Sequence, residues 1–386
     1  MKNLWNDADA AQTVRRYADE GVAPDLALRV YTSRLYGKER RLVIHGGGNT
    51  SVKTTQRDFL GDECEVLCVK GSGWDLDTIE PAGLPAVHLP PLRKVRARNA
   101  LSDEEMLAFL RSNLLDASSP NPSVETLLHA FLPQKFVDHT HSSAILALTD
   151  QPDGDRLCQG VFGARLAIQP YVMPGFLLAK AVADAFERDT RVDGVLLGKH
   201  GLFTFGDTAK QAYDRMIDLV SLAENEIDRA PGFSPAPRGD LSRVAALESV
   251  APIVRGAGST ALGGGRYRRA VAAFRTSAAI RTFVDGADLA DYGARGVITP
   301  DHIIRTKNKY LVLPPPAADE LEKFRAAAFA AASDYRARYD AYFAVHDARL
   351  GGRLKKLDAA PCVALVPGLG LFGLGRTANE DRKSVV

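Results

Sequence analysis

The sequence is short of cysteine, with four in 386 residues, and nowhere reaches the roughly 20 uninterrupted apolar residues that a bilayer crossing needs. Cysteines this sparse (Cys64, Cys68, Cys158 and Cys362) build no disulfide scaffold. Cys64 and Cys68 share the strand-like run ECEVLCVKG and fall on one face, a pattern of packing rather than of metal binding. An excess of charge is lacking too: 49 Lys plus Arg against 47 Asp plus Glu leave a net charge of +2. Such a balance gives no reason to expect a surface for nucleic acid or for an anionic membrane. The N-terminus, MKNLWNDADAAQTVRRYADE, has no apolar core behind its lysine, so no signal peptide is expected and the chain reads as soluble and cytoplasmic. What is present, 46% hydrophobic and 25% charged residues, excludes the disordered and fibrous classes. The length suits two domains.

Strand-like and helix-like runs alternate along the chain. Up to Tyr36 the pattern predicts two helices, broken around Gly21–Pro24. RLVIHGGGNTSVK predicts a short strand, a triple-glycine turn and a second strand; ECEVLCVKG is another strand, ending at Gly71-Ser72-Gly73. Ser102 and Glu105 have capping-box spacing ahead of an amphipathic helix, and PSVETLLHAFL predicts a helix that starts at Pro122 or Ser123. KFVDHTHSSAILAL runs from strand to helix, and GVLLGKHGLFTFG reads as a hairpin between two helices. Hairpins among alternating elements imply an α/β fold with a mixed, mostly antiparallel sheet.

PGFSPAPRGD breaks all periodicity, which places a linker at 231–240 between a catalytic domain over 1–235 and a smaller α/β domain over 236–386. The smaller domain is expected to hold a helix, the glycine-rich GAGSTALGGGRY, and strands around Ala272–Phe283 and Gly296–Arg305. A long alanine-rich helix from Ala317 to His346 and the strand CVALV follow. VLLGKHGLFTFGDTA and ALVPGLGLFGLGRTA echo one another, and aligning Gly206 with Gly375 sets Leu369 against His200. Either two hairpins share a turn chemistry, or the second domain is a degenerate repeat that has lost its chemistry.

The residues with chemistry lie in the first domain. His139 and His141 form an H-x-H pair in the strand-like run FVDHTH, and residues i and i+2 of a strand face the same way. A third histidine, His200, sits at the hairpin turn GKHGLF, where glycine lets backbones approach closely. Three histidines around an open position form a recognised catalytic zinc arrangement. Glu125, at a helix start, either complements the helix dipole or serves as a general base beside the metal. His129, one turn on, is a packed histidine or supports that site. Three small-residue turns have the donors that an anion needs: Gly46 to Ser51, Gly71-Ser72-Gly73 and Asn121-Pro122-Ser123. GAGSTA and GLGLFG imitate a dinucleotide-binding loop. The first lacks a preceding strand and the second has too little chain after it, so both are rejected as nucleotide sites.

The order G-G-N-T-S, G-S-G, P-S-x-E, H-x-H and K-H-G-L-F-x-x-G resembles the class II aldolase/adducin family over roughly residues 25–230. The resemblance implies a three-layer α/β/α fold and a divalent metal, zinc by preference, held by His139, His141 and His200. It makes Glu125 the catalytic acid/base and carries the phosphate-binding turns to Gly48, Asn49, Ser72, Gly73 and Ser123. Two positions depart from it: Val124 and Lys199 stand where many members carry serine and asparagine. RLVIHGGGNTSVK, VKGSGWDL, PSVETLLHAFLP, VDHTHSSA and TPDHIIRTK are similar to the aldolase half of bifunctional rhamnulose-1-phosphate aldolase/alcohol dehydrogenases, and the chain stops about where a dehydrogenase half would begin.

The expected function is therefore metal-dependent retro-aldol cleavage of a ketose 1-phosphate in rhamnose catabolism, giving dihydroxyacetone phosphate and lactaldehyde. The expected assembly is a homo-oligomer, a tetramer by preference, with no nucleic-acid or membrane partner. Two alternatives stand beside it. One is a sugar-phosphate epimerase or decarboxylase of the same family. The other is a non-catalytic, adducin-like binding module, which predicts that the histidine triad is missing.

Overall fold

The computed structural model describes residues 1–386 except 233, 240, 379 and 381–386. Phe233 and Asp240 of the expected linker, and the last residues of the expected second domain, lie outside the described residues. Two compact units are present: Met1–Pro231 together with Ile298–Asp301, and Gly232–Val297 together with His302–Val386. Among the described residues no helix is long and apolar enough to cross a membrane.

The first unit opens with α1 (Asp7–Ala18), capped by the Asn6 side chain, and α2 (Pro24–Lys38), which has proline in its first turn. Next come β1 (Asn49–Arg57), β2 (Glu63–Val69), β3 (Ala86–His88), α3 (Leu89–Lys94) and α4 (Asp103–Ser112). The Ser102–Glu105 capping box forms as expected. The unit continues through α5 (Thr126–Phe131), β4 (Phe136–Thr140), α6 (Ser143–Thr149), α7 (Gly154–Phe162), β5 (Leu166–Gln169) and α8 (Phe176–Arg188). The hairpin of β6 (Gly194–Leu197) and β7 (Gly201–Gly206) leads into α9 (Ala209–Arg229).

The strands form one sheet in the order β3-β2-β1-β4-β7-β6-β5, antiparallel at every pairing except the parallel β5–β6 edge. Strand alternation sends Val52, Val66, Phe136 and Leu202 to one face, where Tyr17, Leu35, Ile145 and Met216 of the helices cover them. Leu67, Val69, Val137 and Phe203 go to the other face, under Leu92, Met106, Leu127 and Val182. The result is the mixed, mostly antiparallel sheet between two helical layers that the sequence predicts.

One buried ion pair ties the sheet to α2. Arg29 pairs with Asp138 of β4, and both side chains are fully buried. Tyr36 Oη donates to Asp138 Oδ2 at 2.7 Å, and Arg29 Nη1 donates to the Ser51 carbonyl at 3.1 Å. Asp138 therefore anchors β4 from one face, and its neighbour His139 faces the other.

Two local expectations fail here. Arg41–Ile44 is not a strand: the amides of Leu42 and Val43 turn back onto the Glu39 carbonyl, so their side chains are buried without a ladder partner. The helix expected from Pro122 or Ser123 starts only at Thr126, because Ser123 and Val124 are used in a turn closed by Thr126 N–H on the Ser123 carbonyl.

The second unit contains α10 (Leu247–Gly258), the ribbon β8 (Thr260–Gly263) and β9 (Arg266–Arg268), and β10 (Val271–Arg275). Short helices α11 (Ala278–Val284), α12 (Leu289–Tyr292) and α13 (Pro300–Thr306) follow, the last beginning within Ile298–Asp301 of the first unit. The unit closes with β11 (Leu311–Val312), α14 (Leu321–Arg349), β12 (Val363–Val366) and β13 (Gly370–Gly375). The strand expected to Phe283 stops at Arg275, because the Ser277 side chain caps α11. In place of the strand at Gly296–Arg305 stands α13, with Pro300 as its first residue.

The second sheet, β10-β13-β12-β11, has the same order and directions as β4-β7-β6-β5. Its register also agrees pair by pair. Val195↔Phe203, Leu196↔Leu202 and Leu197↔Gly201 correspond to Ala364↔Phe372, Leu365↔Leu371 and Val366↔Gly370. His139↔Phe203 and Thr140↔Leu202 correspond to Phe274↔Phe372 and Arg275↔Leu371. Even the caps after the hairpins agree. Thr208 accepts from Gln211 N–H and Gln211 from Asp207 N–H, while Thr377 accepts from Glu380 N–H and Glu380 from Arg376 N–H.

Candidate metal centre

β4 delivers His139, and His141 stands one residue past the strand end, on the same side. The β6–β7 turn brings in His200. Lys199 adopts φ 58° there, the left-handed region that asparagine enters more readily than lysine, which gives a physical reason for the asparagine common at this position in the resemblance. Gly201 lets β7 pass against the histidines: a Cβ there would stand 2.4 Å from the Thr140 carbonyl oxygen and 2.9 Å from His139 Cε1.

The three imidazoles converge, with one ring nitrogen from each lying within 4.8 Å of the others. His139 Nδ1 donates to the Leu202 carbonyl at 3.1 Å, and His141 Nδ1 lies 2.9 Å from Asp301 Oδ1. A carbonyl oxygen only accepts, and an ionised carboxylate does the same, so both Nδ1 atoms carry the proton when the rings are neutral. Both Nε2 atoms then present lone pairs, and they face each other at 3.0 Å. Two lone pairs that close repel unless a proton or a cation lies between them. Glu125 adds a carboxylate, with Oε1 3.3 Å from His200 Nε2 and Oε2 3.4 Å from His139 Nε2. The 3.0 Å between the two Nε2 atoms is near the edge, about 3.3 Å, of a tetrahedron of ligands bonded at about 2.0–2.1 Å. The donor set fits a divalent, nitrogen-preferring ion.

Burial holds His139 well below the usual imidazole range and lowers His200 as well, which favours the neutral form of both rings. For His141, burial opposes the charge, but the hydrogen bond and charge of Asp301 together outweigh it and raise the ring.

Glu125 is the N-cap residue of α5 and is held from behind. Asn49 Nδ2 donates to Glu125 Oε2 at 2.6 Å, and Asn49 Oδ1 in turn accepts from His129 Nε2. His129 Nδ1 is then an acceptor, 2.8 Å from Ser51 Oγ. His129 is fully buried and acts through Asn49, so it supports the site rather than lining it. Glu125 Oε1 has no hydrogen-bond partner.

The three small-residue turns come together. Gly71 bridges to Pro122, and Asn49 Nδ2 lies 3.3 Å from Ser123 Oγ. Gly48 needs to be glycine, since φ is 61° and a Cβ would meet His139 O at 2.7 Å. Two expected anion donors are spent, because the amides of Ser72 and Ser123 donate to the carbonyls of Asn121 and Lys70. The hydroxyls of Ser72 and Ser123 therefore matter more than those amides. Gly73 is exposed, with φ 89°. Sequence reasoning missed buried Lys70, whose Nζ donates to the Gly46 carbonyl at 2.9 Å, although VKGSG places a cation directly before a turn. It also missed Asp301.

Comparison with known proteins agrees with this geometry. Residues 28–227 match the Class II Aldolase and Adducin N-terminal domain, and residues 245–384 match the family described as Aldolase class II, second domain. The chain belongs to the class II aldolase/adducin family. It is 31% identical over its whole length to an uncharacterized oxidoreductase of Bacillus subtilis, YuxG, and spans 54% of that relative's length. It is 25% identical, over 43% of this chain and 77% of the relative, to a methylthioribulose-1-phosphate dehydratase of Picosynechococcus. Among solved structures, the N-terminal class II aldolase domain of a conserved protein from Thermoplasma acidophilum aligns with a TM-score of 0.53 at 42% identity. That alignment covers 59% of this chain and 99% of that one.

Proposed function

We propose that the protein is a cytoplasmic, divalent-metal-dependent carbon–carbon lyase that cleaves a ketose 1-phosphate, rhamnulose 1-phosphate or a close analogue, into dihydroxyacetone phosphate and lactaldehyde. The observation that carries this reading is the pair of imidazole lone pairs facing each other at 3.0 Å, with a nitrogen of His200 within 4.8 Å of them and the Glu125 carboxylate beside the rings of His139 and His200. His139, His141 and His200 would hold the ion. When bound, it supplies Lewis-acid stabilisation of negative charge developing on the substrate oxygens.

The remaining work falls to the chain's own groups. In the cleavage the C4 hydroxyl gives its proton to solvent water as the C4 carbonyl of the aldehyde forms, the C3–C4 bond breaks, and its electron pair becomes the enediolate of the three-carbon phosphate. Protonation at C3 completes dihydroxyacetone phosphate. Glu125 is the group for that proton: Asn49 fixes one of its oxygens, and the other has no hydrogen-bond partner. Gly48, Asn49, Ser72, Gly73 and Ser123 would hold the phosphate, with the hydroxyls orienting it and the Lys70 side chain drawing the Gly46 turn toward the site. A homo-oligomer, a tetramer by preference, is part of the proposal.

We also propose that the second unit is a repeat of the first that carries no donor set. The positions of His139, His141 and His200 are taken there by Phe274, Thr276 and Leu369, in matching register. A second reading of the active site, a sugar-phosphate epimerase or decarboxylase, uses the same donors. The dehydratase name of one relative favours keeping it, because family members at this similarity are not all named aldolases.

The test is a panel of ketose 1-phosphates and pentulose phosphates, run with chelated and zinc-restored protein and read by release of dihydroxyacetone phosphate. Zinc-dependent release from rhamnulose 1-phosphate supports the aldolase. Isomerised or decarboxylated product without cleavage moves the assignment to the second reading. Protein that binds no transition metal and is indifferent to chelator overturns both.

A further inference from the structure

We propose that Asp301 is a positioning residue for the metal centre, fixing the tautomer and aim of His141; the inference rests on the metal-dependent reading above. Asp301 lies 160 positions from His141 in sequence, yet Ile298–Asp301 is part of the first unit. Oδ1 lies 2.9 Å from His141 Nδ1, the carboxylate is only 4% exposed, and Oδ2 has no hydrogen-bond partner. The carboxylate also sits directly on the Gly47 backbone, where a Cβ would stand 2.2 Å from both of its oxygens. A buried carboxylate with one open oxygen is expensive unless a specific group needs it.

That group is the imidazole. An ionised carboxylate accepts only, so it keeps the proton of a neutral ring on Nδ1 and turns the Nε2 lone pair toward His139 Nε2. A carboxylate behind a ligating histidine raises the ligand's basicity and locks its orientation. The three histidines differ in this respect. His139 has a carbonyl behind it, His141 has the carboxylate, and His200 Nδ1 has no hydrogen-bond partner. Asp301 is thus the one charged support in the triad, and it adds a second negative group beside the donors, after Glu125.

Asp301→Asn keeps the shape and removes the charge, and Gly47→Ala leaves the carboxylate in place but forces it off its seat. Gly47 has no left-handed backbone to strain, so the added methyl acts through contact. Zinc affinity of the full-length protein is measured by competition with a chromophoric chelator, and the ligand field by the visible spectrum of the cobalt-substituted form. Both variants are expected to bind zinc roughly 10–100-fold more weakly and to shift the cobalt bands. The melting temperature of each apoprotein serves as the control. A residue that only ties down the 298–301 segment would lower that temperature while leaving zinc affinity and the cobalt spectrum as in the wild type, and that result overturns the proposal. If Asp301→Asn does not fold, Gly47→Ala decides by the same competition. Wild-type protein that binds no zinc refutes the metal-dependent reading itself, a result distinct from variants that match a zinc-binding wild type.

Discussion

Gly201→Ala tests whether backbone packing sets the spacing of the histidine donors. Gly201 needs no left-handed backbone, so the added volume alone decides the outcome. The new Cβ would lie 2.4 Å from the Thr140 carbonyl oxygen, 2.9 Å from His139 Cε1 and 3.2 Å from His141 Cδ2. Comfortable contact lies at about 3.5 Å or beyond, so the carbonyl must retreat by roughly 1 Å. Thr140 is paired with Leu202 across the β4–β7 ladder, so the retreat strains that pairing at the point where it presents His139. Overpacking of this kind costs about 1–3 kcal/mol. At about 2–4 °C per kcal/mol for a unit of this size, the apoprotein should melt about 2–12 °C lower. Zinc affinity should fall at least about tenfold, since the two Nε2 atoms no longer hold their 3.0 Å separation. Gly160→Ala is the matched control. It lies on the exposed face of α7 with nothing within 4 Å of the new methyl, and alanine there should stabilise the helix by up to about 1 kcal/mol. A Gly201→Ala protein with wild-type melting temperature and wild-type zinc affinity would refute the reasoning.

Other outcomes follow from the same geometry. Glu125→Gln can still accept the Asn49 hydrogen bond, so it should keep fold and metal while turnover falls on the order of 10²–10⁴-fold; near-normal turnover would return Glu125 to a helix-start role. Burial pushes the Lys53 ammonium down to about 7 from 10.5, while its hydrogen bonds to the carbonyls of His129 and Gln134 work the other way. The unfolded chain then binds more protons between pH 7 and 10.5, so stability should rise with pH across that window, by up to about 5 kcal/mol. That gain is lost as pH falls back toward 7, below which both states are protonated and the contribution is flat. Urea melts at pH 7 and 9.5 check this, and Lys53→Met should flatten the slope; equal slopes in both proteins would count against it. Light scattering should report an oligomer, tetrameric by preference, and an active monomer would contradict that assembly.

The parts of the centre that were legible share a local signal. His139 and His141 obey strand alternation, and His200 is marked by the glycine that brings β7 close, although only the family resemblance joins that distant histidine to the pair. Asp301 carried no such mark: its partner is 160 positions away, and no periodicity links the start of α13 to an H-x-H strand. The strand expected at Arg41–Ile44 failed because an apolar run is equally satisfied by burial in a turn. The strands expected across Ala278 and Pro300 failed differently: the helix-start signals, Ser277 and Pro300, were present in the sequence and were outweighed by the apolar residues around them. The anion turns were found as loops, but which amides stay available depends on the Gly71–Pro122 bridge, a contact no single segment encodes.

The two matched sheets separate what holds this fold from what gives it chemistry. In the first, buried nitrogens from His139, His141 and His200 converge, an arrangement that is costly without a cation to answer them. In the second, the same register carries groups that find partners on the spot: Phe274 packs on Phe372 with ring centroids 5.1 Å apart, and Thr276 donates to the Leu369 carbonyl at 3.1 Å. The left-handed turn position that strains Lys199 in the first hairpin is filled by Gly368 in the second, with φ 87°. The hairpin's own ladder pairs and the threonine caps persist in both, and none of them uses a histidine; His139 enters only the neighbouring β4–β7 ladder, where Phe274 takes the same place in the second sheet. The histidines therefore contribute nothing that the hairpin needs in order to form. Their presence in one sheet, against the cost of burying them together, is the physical support for the proposed metal site in the first unit.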